Sequence, residues 1–364
     1  MSLDTAPRHH STELANRLDS GVAIPAHPLA LDESGRLDLT AQRALTRYYL
    51  DAGAHGLAVG VHTTQFELHL DRGMLTEVWQ LAAQTAAAHQ TAAGHGTDDN
   101  IDPIMVAGLT GDTAEAVAEA ELATETGYHA ALISPWGMAD TSEATLLQRA
   151  AAVAEVMPVI GFYLQPSVGG ALLSRDFWRA LFDIENVIGV KAAPFNRYAT
   201  GDVIQTLLEH DRWDQVAVLT GNDDAILHDL ITPYQRTLGG QEREVRATGG
   251  LLGQWAVGTR AAVQQLARAG EAVAAGQVPM NLLAQAADMV EVNAAVFDVA
   301  HDFFGSVPGV NEVLRQQGLV PTATTLGPDE LSPGQSELIT QVRTRYPELL
   351  DEDFVAEHRD RWLT

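Results

Sequence analysis

Eight short runs of continuously apolar residues recur along this 364-residue chain, and they restrict its fold more than any other feature. They are GVAIPA (21–26), HGLAVG (55–60), PIMVAGL (103–109), HAALIS (129–134), PVIGFYL (158–164), VIGVKAA (187–193), QVAVLTG (215–221) and ATGGLLG (247–253). Continuous rather than alternating apolar character marks strands buried on both faces, as a parallel sheet covered by helices requires. The run starts are separated by 34, 48, 26, 29, 29, 28 and 32 residues, room each time for a helix and its loops. Eight such units without a break in composition predict an α/β protein built as a (β/α)8 TIM barrel with a C-terminal helical extension.

Helical segments fall between the runs. The spacing predicts helices over 39–53 with Thr40 as cap, 112–127 ending at Gly127, 141–156 and 174–184. Residues 1–20 open on a polar stretch, MSLDTAPRHHS, expected to be loose. The barrel is expected over 21–258, and 259–364 reads as helices packed against it. The longest interval holds a polar loop, HQTAAGHGTDDNID (89–102). Its histidines and aspartates match no ligand spacing that geometry would single out, so it reads as a solvated loop, with no metal expected.

Composition excludes several functions. With 48 acidic and 22 basic side chains the formal charge is −26, which argues against a nucleic-acid partner and against an anionic membrane surface. The absence of cysteine rules out thiolate nucleophiles, iron–sulfur clusters and zinc–thiolate sites. No stretch has the length of a membrane span, and the first thirty residues show no signal-peptide pattern, so a cytoplasmic location is expected. No GxxxxGK[ST] loop occurs and no GxGxxG follows a strand, so neither ATP nor a dinucleotide is indicated.

Of the 22 basic residues, 21 are arginine and one is lysine, Lys191; average composition would give on the order of twenty lysines. That lysine stands near the end of the sixth run, on the barrel face where active sites lie. Arginine replaces lysine on a wet surface but cannot serve as an amine nucleophile. Desolvation at a barrel mouth would lower the ammonium pKa and free the amine to attack a carbonyl; the competing reading is a chance survivor paired to a carboxylate. Tyr163 closes the fifth run and is expected beside Lys191, where a phenol could pass protons. A core tyrosine with an incidental hydrogen bond is the plainer alternative.

Other residues fall at strand ends. Thr63 and Thr64 in VGVHTTQFE (59–67) offer hydroxyls and backbone N–H groups to an anion, although a helix cap would explain one of them. Glu67 either orients that loop or acts on substrate. His27 in PAHP follows the first strand and reads as structural or substrate-binding. Gly221 and Asn222 in TGNDD (220–224) bring a glycine and an amide to the same face, with two carboxylates behind them.

At Lys191, Tyr163 and the Thr63–Thr64 pair the chain resembles the dihydrodipicolinate synthase / N-acetylneuraminate lyase family of class I aldolases, from about residue 20 to 320. The resemblance implies a Schiff base between Lys191 and pyruvate or a related 2-oxo acid, with Tyr163 as proton carrier and no cofactor. It also implies a carboxylate site at Thr63 and Thr64, with Gly221, Asn222 and Asp223 after the seventh strand, and a homo-oligomer, dimer or tetramer. Departures from the family pattern are specific. The threonine loop's glycines are replaced by His62 and Gln65, and Phe66 is inserted before Glu67. Val168 stands where an arginine holds the second substrate, and Trp136 with Gly137 replaces a tyrosine pair. Dihydrodipicolinate synthesis itself is therefore not expected, whereas aldol cleavage or condensation, or a dehydratase-type elimination, stays open. A metal-dependent barrel enzyme and a barrel that binds a small acid without turnover are the alternatives.

Overall fold

The computed structural model describes residues 6–92 and 102–364, and most of the polar loop expected at 89–102 lies outside them. All eight apolar runs form strands: β1 (Ala23–Pro25), β2 (Gly56–Val59), β3 (Ile104–Leu109), β4 (Ala130–Ile133), β5 (Val159–Leu164), β6 (Val187–Ala193), β7 (Ala217–Thr220) and, after a hairpin of β8 (Tyr234–Leu238) and β9 (Gln241–Val245), β10 (Ala247–Leu252). The sheet order is β1-β10-β7-β6-β5-β4-β3-β2, every pairing parallel. A bridge between Ala26 and Ala58, with the His27 N–H donating to the Ala58 carbonyl at 2.8 Å, joins the first strand to the second and closes the barrel.

The helices between strands begin where short polar side chains can satisfy the first free N–H groups. Asp112 accepts from Ala114 and Glu115 while Glu115 accepts from the Asp112 N–H, a reciprocal box that starts Thr113–Glu125. Ser142 and Ser174 cap Glu143–Ala154 and Arg175–Asp183. The helix Leu39–Asp51 is capped by Asp38 and not by Thr40: the carboxylate accepts from the N–H groups of Thr40 and Ala41, both at 3.0 Å. An ionised oxygen at the positive helix end outcompetes a hydroxyl.

Two elements differ from expectation. The segment expected to be loose carries a helix, Ala6–Asp19, whose Leu14, Ala15 and Leu18 enter the barrel's inner core beside Ile24, Ile160, Ile188 and Leu251. It plugs the N-terminal mouth; Leu18 reaches within 3.6 Å of where a side chain at Gly189 would begin. Burying each of these leucines contributes about 1.5–3 kcal/mol, which one turn of polar residues before them does not reveal. The hairpin β8–β9 was not anticipated either, because its residues alternate half-buried and exposed without an apolar run.

Past residue 258 the described chain is helical, with helices Thr259–Ala275, Met280–Val296, Ser306–Gln316, Gln335–Arg345 and Glu352–Trp362. Asp351 ties this layer to the barrel. Its carboxylate accepts from Arg260 N (2.6 Å) and Ala261 N (2.9 Å), capping Thr259–Ala275 from a distant part of the chain, and from the Tyr48 hydroxyl (2.7 Å). Phe354 and Trp362 pack on the same tyrosine. Among the described residues no helix is long and apolar enough to cross a membrane.

Candidate active site

Lys191 lies on β6, directly across from Phe162 on β5 and Leu219 on β7. Its side chain is 7% exposed and its Nζ sits 4.4 Å from the centre of the Phe162 ring. It looks into a cavity that opens at the C-terminal end of the barrel. Burial lowers the Lys191 pKa below the usual 10.5, and the charge of Asp223 partly restores it. The same burial raises the Asp223 pKa above 3.8, against the opposing pull of the Gln254 N–H and of Lys191. Each group is thereby pushed toward its neutral form.

Gly221 makes the fit possible. A Cβ at that position would stand 2.5 Å from Lys191 Cε and 2.7 Å from Ala193 Cβ, closer than any side chain tolerates. The loop that follows holds Asp223 in place: its Oδ1 accepts from Gln254 N at 3.1 Å, and its backbone carbonyl accepts from Asn293.

Four of the expected site residues, Tyr163, His27, Asn222 and Thr64, do not line the cavity. Strand side chains alternate between faces, so with Phe162 turned inward opposite Lys191, Tyr163 turns outward. Its ring packs on Trp178 at 5.1 Å and its hydroxyl is 3.5 Å from Leu173 N, in the layer between barrel and helices. His27 is fully buried on the outer side. Its ring nitrogens pair with the Pro28 carbonyl, Gln42 and Thr46, and burial lowers its pKa to about 4. Asn222 points behind the site, donating to Thr200 and Asp229 and accepting from Phe195 N. It positions the β6 loop and does not line the cavity.

Of the threonine pair, Thr63 lines the cavity and Thr64 does not. Both hydroxyls are committed to β1 and its exit, Thr63 to the Ala26 carbonyl (2.7 Å) and Thr64 to the His27 carbonyl (2.6 Å). They fasten the β2 loop across the barrel seam, and the Thr64 N–H is itself taken by the Val61 carbonyl at 2.9 Å. Gln65, in place of a loop glycine, has φ +73°, a strained conformation for a residue with a side chain. Its amide oxygen accepts from Leu326 N in the tail. Glu67 faces the tail at Gly327 and Asp329 rather than the cavity.

Several lining residues carried no sequence signal. Phe195, Phe297 and Phe303 join Phe162, Leu164 and Val168 in an apolar wall. Phe195 (φ +50°) and Phe303 (φ +68°) hold left-handed conformations and meet edge to face, 5.5 Å apart. Phe297 and Phe303 come from the turn between two C-terminal helices, more than a hundred residues after Lys191. His62 contributes an imidazole to the same cavity, Phe66 packs on it at 5.6 Å, and Trp136 stacks on Phe66 at 5.7 Å. Among the described residues no group of three or more His, Asp or Glu side chains is placed to hold a metal ion.

Comparison with known proteins adds to this geometry. Residues 20–233 match the model of the dihydrodipicolinate synthetase family. The fold is similar to that of dihydrodipicolinate synthase from Oceanobacillus iheyensis (TM-score 0.71, 16% identity, covering 93% of this chain and 99% of that one). It is also similar to a dihydrodipicolinate synthase from Bacillus anthracis (0.70, 20%, covering 90% and 98%). N-acetylneuraminate lyase from Fusobacterium nucleatum is alike to the same degree (0.68, 16%, covering 90% and 99%). No curated protein matches the sequence.

Proposed function

The chain belongs to the dihydrodipicolinate synthetase family, whose members are class I, aldolase-type lyases, and we propose that Lys191 is the residue through which this enzyme forms a Schiff base with a 2-oxo acid. The observation that carries this is the placement of the chain's single lysine: buried in an apolar cavity at a strand's C-terminal end, with its ammonium form disfavoured. A neutral amine is the nucleophile that imine formation requires.

Neutral Lys191 attacks the 2-oxo carbon, and the carbinolamine loses water to give a protonated imine. That imine withdraws electrons from the adjacent bond, so a C–C bond is made or broken there, or a β-substituent leaves, and water then releases the product. The polarisation comes from the imine itself, and the sequence of steps uses neither a metal nor an organic cofactor. The backbone N–H groups of His62 and Thr63 are the donors for the substrate carboxylate, in place of the committed threonine hydroxyls and of the Thr64 N–H, which the Val61 carbonyl takes. Asp223, whose ionised form burial also disfavours, lines the cavity with Lys191.

The remainder of the substrate meets Phe162, Leu164, Val168, Phe195, Phe297 and Phe303. Such a wall rewards apolar area, and beside the imine site only Gln165 and Ser306 add polar side chains that could meet the hydroxyls of a sugar acid. The reading is therefore a lyase for a 2-oxo acid with an apolar distal group, in preference to a sugar-derived one. Incubation with pyruvate and borohydride, followed by peptide mass analysis, is the direct test. A reduced adduct on the peptide containing Lys191 is expected; no adduct with any of several 2-oxo acids overturns the proposal.

A further inference from the structure

An imine-forming enzyme needs a group that moves the proton at the carbon beside the imine, and the present inference rests on the Schiff-base reading above. Tyr163 cannot supply it from the outer layer, and the residue across from Lys191 is Phe162, which has no exchangeable proton. We propose that His62 is the acid–base group of this site, taking and returning the substrate proton with its imidazole from the β2 loop facing Lys191.

The geometry is specific. His62 occupies the first residue of the turn His62–Thr64 and lines the cavity together with Lys191. Its ring is held by Phe66, and among the described residues no group hydrogen-bonds either ring nitrogen. By contrast, Asp223, the other titratable group on the cavity wall, already accepts from Gln254 N and is the charge partner of Lys191. The loop is anchored on both sides of the histidine. Thr64 bridges to the Gly60 and Val61 N–H groups and to the His27 carbonyl. His69 pairs with the Gly60 carbonyl (2.7 Å) and with buried Glu119 (2.8 Å). A proton carrier requires this kind of fixed placement. Burial and the nearby Lys191 charge lower the His62 pKa to about 4, so the resting imidazole is neutral with a free lone pair, at a cost in basicity.

The step balances without an external reagent. One imidazole nitrogen takes a proton from C3 of the iminium, the C–H electron pair becomes the C2=C3 bond, and the C=N π pair returns to the Lys191 nitrogen. When the enamine attacks an aldehyde, its electron pair forms the new C–C bond and the imidazolium returns its proton to the resulting alkoxide. Cleavage runs the same path backward.

Exchange of pyruvate C3 hydrogens for deuterium, followed by NMR, reads this step; borohydride trapping on Lys191 reads imine formation separately. The expected result is that His62→Asn and His62→Gln still form the adduct while exchange falls by about 10²–10⁴-fold, and that Tyr163→Phe leaves both unchanged. An adduct with wild-type exchange in His62→Asn overturns this inference alone. Joint loss of adduct and exchange in both His62 variants also overturns it, since the ring would then only shape the pocket. A wild-type protein that forms no adduct removes the Schiff-base reading, and this inference with it.

Discussion

The Nζ of Lys191 rests 4.4 Å from the centre of the Phe162 ring, on neighbouring strands in direct register. The aromatic face gives an ammonium modest support, yet the ring also excludes the water that would solvate it far better. The balance falls on the side of desolvation, so the amine loses its proton more readily than an exposed lysine.

The pH dependence of adduct formation follows. Only the neutral amine attacks, so the trapping rate rises with pH through the lowered Lys191 pKa and levels off below the usual lysine value of 10.5. Asp223 raises that pKa by its charge, so Asp223→Asn lowers it further and moves the rising limb to more acid pH. Initial trapping rates across a pH series, wild type against variant, check both the position and the direction.

Gly221→Ala adds a methyl group where Lys191 Cε already lies 2.5 Å away. The lysine side chain must leave its rotamer or the β7 loop must shift, at a cost of about 1–3 kcal/mol. Trapping on Lys191 is expected to fall at least about tenfold while the circular dichroism spectrum is retained. Unchanged trapping would show that the reactivity of Lys191 does not depend on its close fit against Gly221.

Substrate choice should track the apolar wall. Replacing the methyl group of pyruvate by an aryl or branched alkyl group is expected to tighten binding by about 1–3 kcal/mol, whereas polyhydroxylated 2-oxo acids of the same length bind more weakly. Concentration dependence of borohydride inactivation gives the comparison directly. Phe303→Ser should erode the preference without removing the adduct with pyruvate.

Asp351→Ala removes the acceptor shared by Arg260 N, Ala261 N and the Tyr48 hydroxyl. Three donors then lose their partner inside the interface between the last helices and the barrel. Stability is expected to fall by about 2–4 kcal/mol, read as a lower denaturant midpoint. Lys191, which stands on a different element, should remain trappable under native conditions.

How far the sequence carries can be read residue by residue. Eight buried strands, the helices over 112–127, 141–156 and 174–184, and the isolation of Lys191 are local statements about composition and period, and the chain states them without help. The face that Tyr163 presents is not such a statement. Strand side chains alternate with period two, and where the β5–β6 register shifts, one residue decides whether a ring enters the barrel or leaves it. Likewise Thr63 and Thr64 were visible as hydroxyls, while their commitment to the carbonyls of Ala26 and His27 depended on closure between β1 and β2. The wall from Phe297 and Phe303, the burial of Leu14 and Leu18, and the approach of His62 to Lys191 join residues tens to hundreds of positions apart. The sequence by itself determined the barrel and the place of its one lysine on a strand, because both follow from neighbours along the chain. Only the tertiary structure decided what surrounds that amine, because contact across a closed barrel depends on strand register and packing rather than on local pattern.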